Sequence, residues 1–228
     1  MTIRHHTERA IIVTRLLGFS VFLLFIAGTP LLGVGPPKGF ESLFNGKDLT
    51  GWKSTGNMEK WGAENGVIFC QGGGGGWLMT EKEYGDFELR VEYKMPKGGN
   101  SGVGLRSPLK GDPAYVGMEI QLIDDEGWPG GLQKWQNTGA IYNVVPPKTI
   151  KNKPIGEWND IKITAKGRKV TVVNNGETLV DADLDDYVKE HGKRHPGITR
   201  EKGHIGLQSY NLRVEFRNIF LKPLDSSK

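Results

Sequence analysis

The chain has 228 residues, of which 37% are apolar and 33 are glycine, and its net charge is +4. Two of those positive charges lie in the first 35 residues, so the remainder is too weakly basic to predict a nucleic-acid-binding surface. The length suits one domain with a full core, and the abundant glycine favours many short strands joined by turns over helices.

The N-terminus has the pattern of an export signal. Three arginines precede an apolar run over residues 16–27, and small residues then lead to two prolines. We predict a signal peptide over residues 1–35 and a periplasmic or extracellular protein. The alternative is an uncleaved signal anchor, because the apolar run could extend to Val34, and only then would the protein contact a membrane. Cys70 is the single cysteine, so the exported domain must rely on its core and not on an intrachain disulfide.

From residue 39 onward the chain is predicted to consist of strands. Apolar and polar residues alternate over residues 87–95 and 161–166, as expected for half-buried strands. The pair Asn175-Gly176 predicts a tight hairpin, and residues 214–219 predict a last strand with an irregularity near Asn218. Helix is expected only as a turn or two over residues 185–191. Regular short strands with glycine-rich turns favour an antiparallel sandwich or jelly roll.

The segment 118–124 indicates where a ligand would bind. In a strand, Met118, Ile120 and Leu122 point to one face, and Glu119 and Gln121 point to the other. Asp124 would join the polar pair if a bulge shifts the register near the end of the strand. A solvated outer face is the simpler interpretation of this strand alone.

Three further segments repeat this design, with aliphatic residues on one face and small or hydrogen-bonding residues on the other. Residues 100–106 place glycines on the open face, with Arg106 expected at its edge. Residues 138–142 expose Tyr142, and residues 204–208 expose His204 and Gln208. Because a merely solvated face would carry mainly Lys, Glu and Thr, the repeated pattern favours a cleft for a polar ligand.

The ordered motifs resemble a known family. They are Gly39-Phe-Glu-Ser-Leu-Phe-Asn-Gly with Gly51-Trp52, then Tyr84-Gly-Asp-Phe, Asn100-Ser-Gly-Val with Arg106, Glu119-Ile-Gln121, Thr138-Gly-Ala-Ile-Tyr142, Gly156-Glu-Trp-Asn159 and Gly203-His-Ile-Gly-Leu-Gln208. Over residues 39–224 the chain resembles the bacterial 3-keto-disaccharide hydrolase domain family. The resemblance implies an all-β, concanavalin A-like jelly roll of two antiparallel sheets, which acts on 3-keto-glycosides outside the cytoplasm.

A weaker resemblance concerns the same strand. The spacing of Glu119, Gln121 and Asp124 is similar to the Glu-x-Asp-x-x-Glu strand of laminarinase-type glucanases. Those enzymes need two carboxylates, whereas here the middle acid is an amide and the last is the shorter Asp. This departure argues against ordinary retaining hydrolysis but leaves one carboxylate free to act alone.

A 3-keto sugar requires one base, a group that holds an oxyanion and a proton donor, because the ketone acidifies the hydrogen on C2. We predict Glu119 as the base, with His204 as the alternative. The remaining roles are expected for Arg106 and Gln121 (binding or polarising keto and hydroxyl oxygens), Tyr142 or His204 (proton donor), Gln208 (orienting the sugar) and Asp124 (orienting Arg106 or, with a metal, serving as a ligand).

Several alternatives remain at the level of sequence. Arg106 could pair structurally with Glu119 across neighbouring strands, and His204 could only cap its neighbours. Trp128 or Trp135 lies in a loop-like region and could stack on a sugar ring. The sequence requires no cofactor, although a divalent cation stays open as an alternative. A non-catalytic carbohydrate-binding module and a conventional glucanase are the competing functions.

Overall fold

The computed structural model describes residues 35–225, and the predicted export signal lies outside them. The strands in this part of the chain follow one another with short connections. They are β1 (Glu41–Ser42), β2 (Trp52–Ser54), β3 (Trp61–Glu64), β4 (Val67–Cys70), β5 (Gly76–Tyr84), β6 (Phe87–Lys94), β7 (Asn100–Ser107), β8 (Met118–Ile123), β9 (Trp158–Lys166), β10 (Lys169–Asn174), β11 (Glu177–Asp183), β12 (Gly203–Ser209) and β13 (Glu215–Pro223).

These strands form two antiparallel sheets. The larger has the order β11-β10-β9-β6-β13-β4-β3, with β1 paired to β13, and the smaller has the order β2-β5-β12-β7-β8. One continuous core contains the inward residues of both, such as Leu89 and Val91 of β6 and Val103 and Leu105 of β7. Full burial of such a side chain stabilises the fold by about 1.5–3 kcal/mol. The predicted all-β, concanavalin A-like jelly roll is therefore confirmed.

Helical segments between residues 35 and 225 are short. Helix α1 spans Pro113–Val116, α2 spans Asp185–His191, and 3₁₀ turns cover Met58–Lys60, Lys134–Gln136 and Pro196–Thr199. Asp112 caps α1 by accepting a hydrogen bond from the Ala114 N–H, and the proline at the first position suits a helix start. In the described residues, no helix has the length and apolarity needed to cross a membrane.

Most of the predicted elements are present. The half-buried strand over residues 87–95 is β6, and the Asn175-Gly176 pair turns the hairpin between β10 and β11 with positive φ at both residues. The pairing of β13 with β6 shifts between Arg217 and Phe220, as expected near Asn218. Residues 185–191 form the predicted short helix.

The segment 138–142 differs from the prediction. It is not a regular strand, because only an isolated bridge links Ile141 to Ile120 of β8. It nevertheless runs beside β8 through backbone hydrogen bonds at Gln121 and Glu119. The predicted side-by-side placement is retained, although the regular ladder is absent.

Candidate active site

The outer face of the smaller sheet has a floor made by glycine. Gly104 of β7 pairs with Glu119 of β8 on one side and with Gly206 of β12 on the other, and Gly102 pairs with Gln121. A Cβ atom added at Gly102 would overlap the carboxyl group of Glu119. The missing side chains therefore let larger neighbours lie flat on the sheet.

Above this floor lies a cleft of about 300 Å³. That volume is at the lower end of the range for small-molecule sites. The cleft is lined by residues of the sheet, of α1 and of three surrounding loops: Asn100, Asp112, Ala114, Tyr115, Glu119, Gln121, Ile123, Trp128, Leu132, Gln136, Tyr142, Gln208 and Tyr210.

Glu119 is the buried acid of the cleft. Its side chain is 3% exposed, and no described residue forms a hydrogen bond or ion pair with its carboxyl group. Burial raises the pKa of Glu119 well above the ordinary carboxyl value, and the negative charge of Asp112 raises the pKa further. Such a carboxyl holds its proton to unusually high pH and is a stronger base once it has lost the proton.

Asp112 is a second carboxylate in the cleft that the sequence analysis missed. It is fixed at the start of α1, where its Oδ1 accepts the Ala114 N–H at 3.1 Å. The Asp-Pro pair followed by a short apolar stretch is a helix-start signal that could have identified its position. Nothing in that signal indicates that the helix lies over the smaller sheet.

Two tyrosines form the wall next to Glu119. The backbone N–H of Tyr142 donates to the Glu119 carbonyl oxygen at 2.9 Å, which sets Tyr142 beside that residue. The ring of Tyr115 on α1 meets the Tyr142 ring edge-on at 6.4 Å between centroids. Tyr115 also stacks on the buried His195 ring at 5.0 Å, and burial, followed by the charge of Tyr142, raises the pKa of Tyr115. Sequence reasoning placed Tyr142 in the site but missed Tyr115.

The structure brings most of the predicted binding residues to the same cleft. Gln121, Tyr142, Gln208 and Trp128 all line it together with Glu119. Trp135 does not line the cleft, and its side chain is 43% exposed on a 3₁₀ turn.

Arg106 is placed differently from the prediction. Its guanidinium group is 1% exposed and donates to the carbonyl oxygens of Gly85, Gly167 and Arg200 and to the Asp86 carboxylate. The cause is an extra residue in β7. Between two paired positions, β7 advances by three residues, from Gly104 to Ser107, while its partner strand β12 advances by only two. Arg106 has a φ of 48° at this bulge, so the simple alternation fails there. The structure therefore does not bring Arg106 to Glu119, either as a site residue or as an ion-pair partner.

His204 and Asp124 also lie outside the cleft lining. His204 Nδ1 is 2.8 Å from the Thr80 carbonyl oxygen, and its Nε2 is 3.9 Å from Glu83. A carbonyl oxygen only accepts hydrogen bonds, so Nδ1 carries the proton. β8 ends at Ile123, so the bulge that would have brought Asp124 to the face of Glu119 and Gln121 is absent. Asp124 instead accepts the backbone N–H groups of the loops that flank it.

Residues 35–225 contain no group of three or more His, Cys, Asp or Glu side chains placed to hold a metal ion. The arrangement at the cleft is thus a buried carboxyl, a second carboxylate and two tyrosine hydroxyls over a flat floor. Chemically, this set is suited to moving protons on a polar ligand.

Comparison with known proteins identifies relatives of this chain. A family profile described as 3-keto-alpha-glucoside-1,2-lyase-like domain matches residues 39–222. A protein named 3-keto-disaccharide hydrolase from Bacteroides thetaiotaomicron is 29% identical, with 82% of this chain and 79% of that protein aligned.

Solved structures agree with this relationship. A candidate glycosyl hydrolase from Parabacteroides distasonis is 32% identical with a TM-score of 0.71, and covers 82% of this chain and 94% of its own. The carbohydrate-binding module CBM66 from Bacillus subtilis has a TM-score of 0.51 at 14% identity, over 80% of this chain and 99% of its own, and shares the fold alone.

Proposed function

Because this chain belongs to the family of 3-keto-alpha-glucoside-1,2-lyase-like domains, we propose that it cleaves the glycosidic bond of 3-keto-glycosides. The bond is broken by elimination across C1 and C2, and water is then added. The names of the relatives support a glycoside as substrate, and the chemistry of the cleft supports removal of a proton as the first step.

The observation that carries the proposal is the isolation of Glu119. Glu119 is 3% exposed, and no group among residues 35–225 forms a hydrogen bond or ion pair with its carboxyl. Burial of such a group is costly for a protein that only binds sugar. It is useful to an enzyme that must remove a weakly acidic proton from carbon, because a base is most effective when its pKa lies near the working pH. Asp112 adds to this effect through its charge.

The reaction balances with the residues present. Glu119 takes the proton from C2, and the electrons move to the C3 oxygen to form an enediolate. The C1–O bond then breaks, and the leaving oxygen takes a proton from Tyr142 or Tyr115. Water adds to C1 of the unsaturated ketone and gives up a proton that restores the tyrosine hydroxyl. C2 takes a proton back from Glu119, whose carboxyl proton exchanges with water in the cleft between the two steps. Gln121 and the tyrosine hydroxyl that does not protonate the leaving oxygen supply hydrogen bonds to the C3 oxygen, a role that we do not assign to Arg106.

A conventional glycosidase is the second candidate, because Asp112 supplies the second carboxylate that such an enzyme needs. The two candidates differ in substrate. A conventional enzyme cleaves the parent glucoside, whereas elimination requires the ketone.

We further propose that the protein is exported. Support comes from the arginines and the apolar run that precede residue 35. Fusion of residues 1–35 to a reporter that is active only outside the cytoplasm tests this, and a reporter that stays silent would contradict it.

The test of function uses protein that lacks residues 1–35, with a 3-keto-glucoside and its parent glucoside compared side by side, with and without chelator. We expect cleavage of the keto form alone. Cleavage of the parent would favour the conventional glycosidase, and silence on both substrates would favour a binding module. Loss of activity with chelator would show that a divalent cation takes part.

A further inference from the structure

We propose that Tyr115, and not Tyr142, protonates the leaving oxygen, and that the buried His195 is a positioning residue that holds the Tyr115 ring for this step. The assignment rests on the proposed function, because it names the proton donor of the same reaction. Tyr142 then has the other tyrosine role, which is to hold the C3 oxygen.

Tyr115 is carried by a helix that rests on the floor of the cleft. The indole of Trp77 on β5 lies over the floor, because Cβ atoms added at Gly104 and Gly206 would each lie 3.1 Å from it. Trp77 and Ala114 of α1 belong to one small apolar cluster, and Tyr115 packs against that cluster. This packing sets the height of α1 above the glycine floor.

His195 holds α1 from the side away from the floor. Its side chain is 1% exposed, and its ring stacks on that of Tyr115 at 5.0 Å between centroids and 23° between planes. A hydrogen bond with the Ala114 backbone ties the same imidazole to α1. His195 therefore contacts Tyr115 through its ring and the preceding residue through its polar atoms.

The turn that follows His195 contacts the end of α1 through the backbone. A Cβ atom added at Gly197 would overlap the carbonyl oxygen of Gly117, and one added at Gly117 would overlap the Ser107 hydroxyl of β7. The end of α1 is consequently held between β7 and this turn, with little room for movement.

The imidazole of His195 has one unpaired nitrogen. Its Nε2 atom is buried without a hydrogen-bond partner among residues 35–225. Such exceptions are rare in folded proteins and call for an explanation, which here is the combination of ring stacking with a hydrogen bond to Ala114. Burial lowers the pKa of His195, so the ring is neutral at pH 7 and acts on Tyr115 by position and not by charge.

Two observations favour Tyr115 over Tyr142 as the proton donor. Stacking on His195 fixes the plane of the Tyr115 ring, whereas no ring in the described part of the chain stacks on Tyr142. A donor must also recover its proton after each turnover. Burial raises the pKa of Tyr115, and the charge of Tyr142 and then that of Asp112 add to this effect, so a phenolate at Tyr115 readily takes a proton back.

The step moves one proton. As the C1–O bond breaks, its electron pair passes to the leaving oxygen, and that oxygen takes the proton of the Tyr115 hydroxyl. The resulting phenolate is neutralised in the second half of the reaction, when the water that adds to C1 gives up a proton. A donor that is held in place shortens the search for this geometry.

The first experiment compares two 3-keto-glucosides, one with methanol and one with 4-nitrophenol as the leaving part. Methanol must take up a proton as it leaves, whereas 4-nitrophenolate leaves without one. We expect Tyr115→Phe to lower kcat/KM for the methyl glycoside by about 10²-fold and His195→Ala to lower it by about tenfold. For the nitrophenyl glycoside, both variants should stay close to the wild-type value.

Two substitutions serve as controls. His191→Phe changes a ring on α2 that is 6.5 Å from the His195 ring, and it should match the wild type on both substrates. His195→Phe retains a ring that can stack on Tyr115, so it should recover most of the activity lost in His195→Ala. It also tests the stacking contact if His195→Ala does not fold.

Three results would overturn the proposal. Equal losses on both substrates in Tyr115→Phe, or a dependence on the leaving group in Tyr142→Phe instead, would reject Tyr115 as the donor. A ratio of the two kcat/KM values that is the same in His195→Ala as in the wild type would reject His195 as its positioning residue.

The last experiment does not depend on the reaction. Fluorine NMR of the protein with 3-fluorotyrosine at position 115 reports the environment of that ring. We expect a resonance displaced from that of the free amino acid by the stacked imidazole, retained in His191→Phe and moved towards the free value in His195→Ala. The same resonance in all three proteins would reject the positioning contact.

The two proposals fail separately. Wild-type protein that cleaves neither 3-keto-glucoside rejects the proposed function, while the fluorine resonance still decides whether His195 holds Tyr115. Wild-type cleavage of both substrates, with variants that respond equally to the two leaving parts, keeps the proposed function and rejects Tyr115 as the donor.

Discussion

Replacing Glu119 by Gln should stabilise the folded protein at high pH while it abolishes the reaction. Burial raises the pKa of Glu119 in the folded state, whereas the unfolded chain has the ordinary glutamate pKa of about 4.3. Folding above that pH therefore takes up a proton, and the free energy of unfolding falls as the pH rises towards the raised pKa. Glutamine has no such penalty. The stabilising effect of Glu119→Gln should be absent at pH 4 and largest at pH 8.

The magnitude follows from the surroundings of the side chain. No described residue bonds to the carboxyl group, so the substitution breaks no hydrogen bond that would offset the gain. Each pH unit by which the folded pKa exceeds the unfolded pKa corresponds to about 1.4 kcal/mol. For a domain of this length, 1 kcal/mol changes Tm by about 2–4 °C. The expected rise in Tm at pH 8 is thus about 3–6 °C for each such pH unit.

The assay is calorimetric unfolding of the wild type and Glu119→Gln at pH 4, 6 and 8. The exposed Glu81→Gln is the control, since it removes a carboxylate outside the cleft. A variant that is less stable than the wild type at pH 8, or a difference in Tm that does not depend on pH, would refute the raised pKa of Glu119.

Three further predictions concern the residues around Glu119 and the buried arginine. Asp112→Asn should move the acidic limb of the kcat/KM–pH profile to lower pH, because the loss of a negative neighbour lowers the pKa of Glu119 while asparagine still caps α1; an unmoved limb would contradict this. Gly102→Ala should lower kcat/KM by about 10²-fold, because the added methyl group displaces the Glu119 carboxyl group. Gly85→Ala is the control, since its added Cβ would meet no atom closer than 3.5 Å. Arg106→Ala should lower the free energy of unfolding by about 3–5 kcal/mol in denaturant titrations, because three carbonyl groups and a carboxylate would lose their buried hydrogen-bond donor. A loss below about 1 kcal/mol would show that these contacts do not stabilise the fold.

The face on which Glu119 lies could be predicted because nothing interrupts the alternation of β8. β7 and β8 pair without a register shift from Asn100 to Leu105, so each side chain points where a regular strand directs it. The same regularity placed Gln121 and the glycine floor on one surface. The fold class followed from the same pattern repeated along the chain.

The prediction failed where the backbone departs from that regularity. Arg106 lies at an extra residue with positive φ, and its side chain consequently leaves the face of its strand. The Asp-Pro pair marks where α1 starts, but α1 is only four residues long and carries no periodic signal, so the sequence does not show that Asp112 and Tyr115 face the cleft. Their position over the smaller sheet depends on tertiary packing and not on local sequence.

The central claim is that Glu119 removes the proton from C2 before the glycosidic bond breaks. The most direct measurement is turnover of a 3-keto-glucoside in D₂O, with the C2 position of the released 3-keto-glucose examined by NMR. We predict one deuterium at C2 in the product of the wild type and no turnover by Glu119→Gln. The same substrate incubated without protein corrects for exchange in solution. Product released by the wild type with hydrogen retained at C2, or full turnover by Glu119→Gln, would contradict the account.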